Sequence, residues 1–236
     1  MVIDGFSTDL KSINAGVPQG SVLPPTLFLI CINDLLSLTA NPIYSFADDS
    51  SLCHSYSFSR RPSTSAVAEC RGNMNDTLNN DLNKILKWGK LNRVDFNANK
   101  TQSCLLTHKR VDGLDFRTRI AGVDVPQSDG LDMLGMQIQS NLHWDKHIFG
   151  IAKKAAQSIG LLKRCKKYFT PLDLRNIYTS YIRPKMEYNS HIWAEAPRAS
   201  LHYLDSVQKR AKRLIGDDEV FSSLSLPWAI EGTWDA

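Results

Sequence analysis

Between Leu142 and Lys146 the sequence changes from short apolar runs divided by turn residues to long, basic, alanine-bearing helical patterns. That break limits the chain to an α+β unit followed by a helical one. Before it, strands are expected at Met1 to Phe6, Ile43 to Phe46, Ser50 to Cys53, Gln102 to Thr107 and Met133 to Ile138, with a hairpin over Phe116 to Val125 around Ala121-Gly122. A helix should start near Thr26, after Pro24-Pro25, and end by about Leu38, because Asn41-Pro42 cannot continue it. A second helix is expected over about Ala66 to Leu91, where Met74, Leu78, Leu82, Ile85 and Leu86 recur at spacings of three and four. After the break, helices fit Ile148 to Tyr168, Pro171 to Met186 and Arg198 to Ile215. The reading gives three regions: 1–145, a basic helical 146–215, and a tail 216–236 without periodicity, expected to be poorly ordered.

Charge follows the same division. Residues 1–145 hold 13 Lys+Arg against 15 Asp+Glu, whereas residues 146–213 hold 15 against 4. A basic block of this kind is either a set of solvated helix faces or a nucleic-acid footprint, and charge alone does not choose. Hydrophobic residues at 42% and charged residues at 22% exclude a disordered chain. The longest apolar run, Leu27 to Ile32, is well short of the ~20 residues of a membrane span, so no membrane partner is expected. Asp4 and Asp9 with no basic start argue against a signal peptide. The five scattered cysteines lack CxxC spacing, which favours a reducing compartment, cytoplasm or nucleus, over a disulfide framework or zinc site.

Ala47-Asp48-Asp49 lies between two short apolar stretches, which puts two carboxylates at a hairpin tip. Adjacent aspartates on a strand point to opposite faces, but in a tight turn both reach one point. Hard carboxylate oxygens there suit Mg2+. Taken alone, such a pair more often only solvates a loop.

Phe46-Ala47-Asp48-Asp49 resembles the Tyr/Phe-Ala-Asp-Asp motif of reverse transcriptases. Gly16-Val17-Pro18-Gln19-Gly20-Ser21 resembles their Gly-x-Pro-Gln-Gly segment, in the family's order and at its short separation. Pro18 stiffens that turn, Gly16 and Gly20 permit close backbone approach, and Gln19 offers both donors and acceptors. Leu86-Lys87-Trp88, Phe96-Asn97 and Asn99-Lys100-Thr101 resemble the helix and turn that follow in non-LTR retrotransposon enzymes. Leu134-Gly135-Met136 through Leu142-His143-Trp144 resembles the strand pair that grips the primer end. The stretches from Ile151 to Ile215 resemble the thumb and following region of jockey-like elements.

The resemblance implies the later part of a right-hand palm, an antiparallel sheet with helices, followed by an α-helical thumb. It implies RNA-directed DNA polymerase chemistry with Mg2+ or Mn2+ on Asp48 and Asp49, and with RNA template, DNA primer and dNTP as partners. Pro18, Gln19, Gly20, Ser21, Phe46 and Lys100 would lie at nucleotide and template, with Lys100 beside the triphosphate. Lys163, Arg164, Lys166 and Lys167, with Lys209, Arg210, Lys212 and Arg213, would track phosphates. Tyr178, Tyr181, Tyr188 and Trp193 could stack on bases, but their helical spacing favours packing.

The pattern departs at three places. Pro24 stands where the family usually has serine, and nothing beyond Asp218 resembles it. The segment carrying the third catalytic aspartate is not recognised, and the surroundings of Asp4 and Asp9 do not resemble it. The chain is therefore expected to be inactive alone and to need the N-terminal half of the polymerase. The alternatives are a non-catalytic nucleic-acid-binding remnant using the basic region, or a chain with uncovered strand edges that aggregates.

Overall fold

The computed structural model describes residues 2–3, 6–7, 20–57, 63–108 and 116–222. In chain order the elements are strands β1 (Val2–Ile3) and β2 (Phe6–Ser7), helix α1 (Pro24–Ile32), strands β3 (Ile43–Phe46) and β4 (Asp49–Leu52), and helix α2 (Thr64–Asn92). Next come β5 (Ser103–Cys104), β6 (Thr118–Ile120), β7 (Val123–Val125), β8 (Gln127–Ser128), β9 (Gly130–Met133) and β10 (Met136–Gln139). The chain ends in helices α3 (Asp145–Cys165), α4 (Pro171–Ile177), α5 (Arg183–Glu187), α6 (Ser190–Trp193), α7 (Arg198–Ile215) and α8 (Asp218–Ser222). It is a mixed fold in which the described strands form two-stranded sheets. No helix among the described residues is long and apolar enough to cross a membrane. The chain divides into two compact units, Met1–Ser103 with Val111–Gln127, and Cys104–Arg110 with Ser128–Ala236.

In the first unit Val2–Ile3 pairs antiparallel with Phe6–Ser7, so the single strand expected from Met1 to Phe6 is a hairpin. Helix α1 has proline in its first turn and runs into a 3-10 turn, Asn33–Ser37. Helix α2 opens with Ser63 accepting the Ala66 N–H and closes at Arg93, which is left-handed (φ 58°). The small core here is Ile32, Leu35, Ile85 and Trp88, with Ile43 and Leu52 of the hairpin and Val94 and Phe96 packed against it. Gly89 makes that return possible: a Cβ there would meet the Val94 carbonyl oxygen at 2.5 Å.

Nearer its start, α2 holds strand β6 through two asparagines one turn apart. The Arg117 and Arg119 N–H groups donate to Asn75 Oδ1 (2.8 Å) and Asn79 Oδ1 (2.9 Å), while Asn79 Nδ2 donates to the Arg117 carbonyl (2.9 Å). The amides thus satisfy a strand edge that no other described strand covers.

In the second unit, Met133 to Ile138 is a turn and parts of two strands, not the one strand expected. Met133 pairs with Met136, and Leu134 and Gly135 both have positive φ (49° and 78°). Two such residues form the tight turn whose twist matches a hairpin, and Leu134 hid it by continuing the apolar pattern. Helices α3 and α7 lie parallel. At their starts Ser200 Oγ donates to Asp145 Oδ1; at their ends the Lys166 ammonium lies 3.9 Å from where a Cβ on Gly216 would sit. Between them pack Ile148, Ala152, Ala155 and Ile159 of α3 and Leu204, Val207 and Ala211 of α7.

Between α4 and α5 the helix continues as one π turn, Tyr178–Ile182, with the Arg183 N–H donating to the Tyr178 carbonyl. Pro184 explains it: proline has no N–H for the carbonyl four residues back, and its ring crowds that carbonyl. Past Gly216, where the sequence is aperiodic, α8 buries Phe221 in the helical core.

Candidate active site and nucleic-acid interface

Strands β3 and β4 pair in the register Ile43↔Leu52, Tyr44↔Ser51, Ser45↔Ser50 and Phe46↔Asp49. Only Ala47 and Asp48 are left to turn the chain, so Asp48 stands at the tip and Asp49 begins the return strand. Paired residues share a face of a sheet, so Asp49 lies beside Phe46 on the exposed face, while Ile43 and Leu52 turn into the core. Ala47 has a positive φ (50°), a conformation glycine normally takes in such a turn. Ser45 and Ser50 hydroxyls hydrogen-bond across the ladder at 2.7 Å, just inside the tip.

Both aspartates are exposed, and among the described residues no third carboxylate, histidine or cysteine joins them in a metal-sized group. The donor set fits a hard divalent cation in part: two carboxylates on adjacent residues, one at the hairpin tip and one beginning the return strand.

The open end of the hairpin is fixed by a residue that the periodicity reading passed over. Asp81 occupies a position in the buried ladder Met74, Leu78, Asp81, Ile85, Trp88, and is 1% exposed. Its carboxylate accepts from the Ala40 N–H (3.1 Å), the Asn41 N–H (2.9 Å), Asn41 Nδ2 (2.8 Å) and Lys84 Nζ (2.9 Å). Burial raises the pKa of this carboxyl, but those donors outweigh it and bring it down to about 2. Asn41 in turn meets His54 Nδ1 at 2.7 Å, and the Cys53 N–H donates to the Pro42 carbonyl at 2.9 Å, so both strands are tied at their base. A carboxylate in an otherwise apolar ladder is the signal that could have found it.

Of the other expected residues in this unit, Gly20 (φ 86°) and Ser21 are exposed ahead of α1, whereas Pro18 and Gln19 lie outside the described residues. Phe46 is exposed, as is Lys100 at the end of the 3-10 turn Ala98–Lys100. That turn is capped by Asn97, whose side chain accepts the Asn99 N–H at 3.0 Å. Its approach segment, Val94 and Phe96, packs on the same small core as the hairpin base.

The second unit brings together what the sequence separates. Lys163 and Arg164 end α3, Lys166 and Lys167 follow in the 3-10 turn Lys166–Tyr168, and Lys209, Arg210, Lys212 and Arg213 end α7. Because the helices are parallel, both clusters sit at one pole, and all eight side chains are exposed. Cations there also meet the negative ends of two helix dipoles. Lys212 pairs with Asp218 at 3.2 Å.

Tyr178 and Trp193 are buried, consistent with packing, whereas Tyr181 and Tyr188 are exposed. The Lys185 ammonium lies 3.4 Å from the centre of the Tyr181 ring. Polar contacts tie the β9–β10 hairpin to the helices. Tyr188 donates to the Leu134 carbonyl (2.9 Å), the Gln137 N–H to His147 Nδ1 (3.2 Å), and the Lys146 N–H to Gln139 Oε1 (2.8 Å). Accepting at Nδ1 requires a neutral His147; burial, and then Lys154, push its pKa down, which favours that form.

A family model described as reverse transcriptase (RNA-dependent DNA polymerase) matches residues 2–138. The chain is 27% identical to the probable RNA-directed DNA polymerase from transposon X-element of Drosophila melanogaster, over 89% of this chain and 22% of that protein. It is 25% identical to the probable RNA-directed DNA polymerase from transposon BS (94% and 24%) and 24% identical to the RNA-directed DNA polymerase from mobile element jockey (90% and 23%), both of the same fly. The chain thus spans under a quarter of these relatives. No solved structure matches it.

Proposed function

Because the chain belongs to the reverse transcriptase (RNA-dependent DNA polymerase) family, we propose that it is the later part of the palm and the thumb of a jockey-like RNA-directed DNA polymerase, with Asp48 and Asp49 as metal ligands. The observation that carries this reading is the two-residue turn Ala47–Asp48, which puts Asp48 at the tip of a braced hairpin and Asp49 first in its return strand. Residues 1–145 make up the palm portion and 146–215 the thumb and connection.

In this reading the exposed carboxylates hold Mg2+ or Mn2+, which when bound supplies Lewis acidity for in-line transfer of a nucleotide to a primer 3′-hydroxyl. Lys100 places its ammonium beside the triphosphate and can give a proton to departing pyrophosphate. Pro18, Gln19, Gly20 and Ser21 present backbone and an amide to template and incoming dNTP, and Phe46 lies on the face shared with Asp49. The basic pole of α3 and α7 takes phosphates of the template–primer, giving affinity without sequence choice.

Two carboxylates leave the metal under-coordinated among the described residues, and the segment that carries the family's third aspartate is not recognised in the sequence, so the chain alone is expected to extend no primer. Titration with Mn2+, followed by water-proton relaxation, tests the site: binding by the wild type should be lost in Asp48→Asn and in Asp49→Asn. Unchanged relaxation in both variants would overturn the assignment. Primer extension on an RNA template by this chain alone, abolished by Asp48→Ala, would overturn the inactivity.

A further inference from the structure

Two exposed rings meet where α3 and α7 lie side by side. Phe149 (51% exposed) and Tyr203 (46% exposed) touch edge to face, with centroids 5.3 Å apart and planes at 79°. Neither belongs to the helical core, so the pair leaves large apolar area in water on an otherwise polar face.

The helices carry this seam toward the basic pole. Lys153, Gly160 and Lys163 follow Phe149 at spacings of four, seven and three, which keeps them on its stripe of α3. Arg210, seven residues after Tyr203, keeps to the matching stripe of α7. All three cations are exposed, and a Cβ at Gly160 would find nothing within 4 Å, so the seam is open at that point. The one acidic residue of α7, Asp205, is two positions from Tyr203 and so faces elsewhere. From Phe149 to Lys163 the seam covers about 20 Å at ~1.5 Å per residue. Aromatic faces at one end and cations along the rest are the composition that holds a strand by its bases and its phosphates at once.

We propose that the α3–α7 seam is a track for a single nucleic-acid strand, with Phe149 and Tyr203 stacking on an unpaired base at one end and Lys153, Lys163 and Arg210 holding phosphates toward the other. The proposal rests on the reading that the basic helical region binds nucleic acid, and adds to it the base-stacking end and a preference for unpaired strand.

Fluorescence anisotropy of the full chain tests it, with a labelled single strand, the same strand made abasic, and a blunt duplex of equal length. The wild type should prefer the ordinary strand. The double variant Phe149→Leu/Tyr203→Leu, which keeps apolar cover, should lose about tenfold on that strand. It should bind the abasic strand as the wild type does, with an unchanged salt slope, because no phosphate contact is removed. Phe149→Trp should retain wild-type affinity. Lys163→Ala/Arg210→Ala should instead lower the salt slope on every ligand. The proposal is overturned if the leucine variant binds the ordinary strand like the wild type, or loses equally on the abasic strand. Absence of salt-dependent binding by the wild type to any of the three would overturn the nucleic-acid reading itself.

Discussion

Asn41 gives two hydrogen bonds to one oxygen of Asp81, from its backbone N–H at 2.9 Å and from its side-chain amide at 2.8 Å. Forty residues apart in sequence, the two tie the open end of the Asp48–Asp49 hairpin to the long helix behind it. The carboxylate titrates near 2, below its ordinary value, so its folded form holds the proton less tightly than the unfolded chain does. That stabilisation is present above about pH 4 and is lost as pH falls through about 2, and it amounts to about 2 kcal/mol. Asp81→Asn should therefore lower the stability by about 2 kcal/mol at pH 7 and flatten the loss between pH 4 and 2. Urea unfolding across that range measures both.

His147 gives a separate signature nearer neutral pH. Its folded-state pKa lies below the ordinary value, so the unfolded state binds the proton more readily. Its contribution is complete above about pH 6.5 and falls away as pH drops below that value. His147→Phe should remove this slope, seen as thermal midpoints that no longer decline between neutral and mildly acidic pH.

Tyr188→Phe removes only the hydroxyl that holds the Leu134 carbonyl. The bond is solvent-exposed, so the cost should be about 0.5 kcal/mol. The readout is local: amide exchange in β9 and β10 should speed up while exchange in α3 stays unchanged.

Ala47→Gly relieves a positive φ at the turn that presents the two aspartates. The gain in the folded state, ~1 kcal/mol, is opposed by the extra freedom of glycine in the unfolded chain. A net change within about 0.5 kcal/mol is expected, together with broader Mn2+ relaxation behaviour from a looser tip. A loss above about 2 kcal/mol would show that Ala47 is not strained.

Tyr178 is buried with no hydrogen-bond partner for its hydroxyl among the described residues, and burial pushes its pKa up to about 12. Deleting an unsatisfied buried hydroxyl removes a desolvation cost. Tyr178→Phe should leave the thermal midpoint unchanged or raise it, against the usual trend for core substitutions.

Local signals carried much of this protein. Periodicity located α2, because a buried helical face needs apolar residues three and four apart wherever its partners are, and a shift to basic, alanine-bearing composition located α3 and α7. The adjacent Asp48 and Asp49 and their flanking apolar stretches were enough to place a hairpin tip, since a two-residue turn is a local event. Local signals also misled: Leu134 concealed a turn inside an apolar run, and Met1 to Phe6 read as one strand although Val2–Ile3 pairs with Phe6–Ser7.

What the tertiary structure decided is everything that depends on distant partners. Asp81 reads as an interruption in a hydrophobic ladder until Ala40, Asn41 and Lys84 are brought around it. Two basic clusters become one pole only because α3 and α7 run parallel, which their sequences do not encode. The Phe149–Tyr203 contact follows from the same arrangement. Side-chain spacing along one element is fixed by its backbone geometry and so is written in the sequence. The pairing of elements is chosen by how whole faces bury against each other, and no single stretch carries that information.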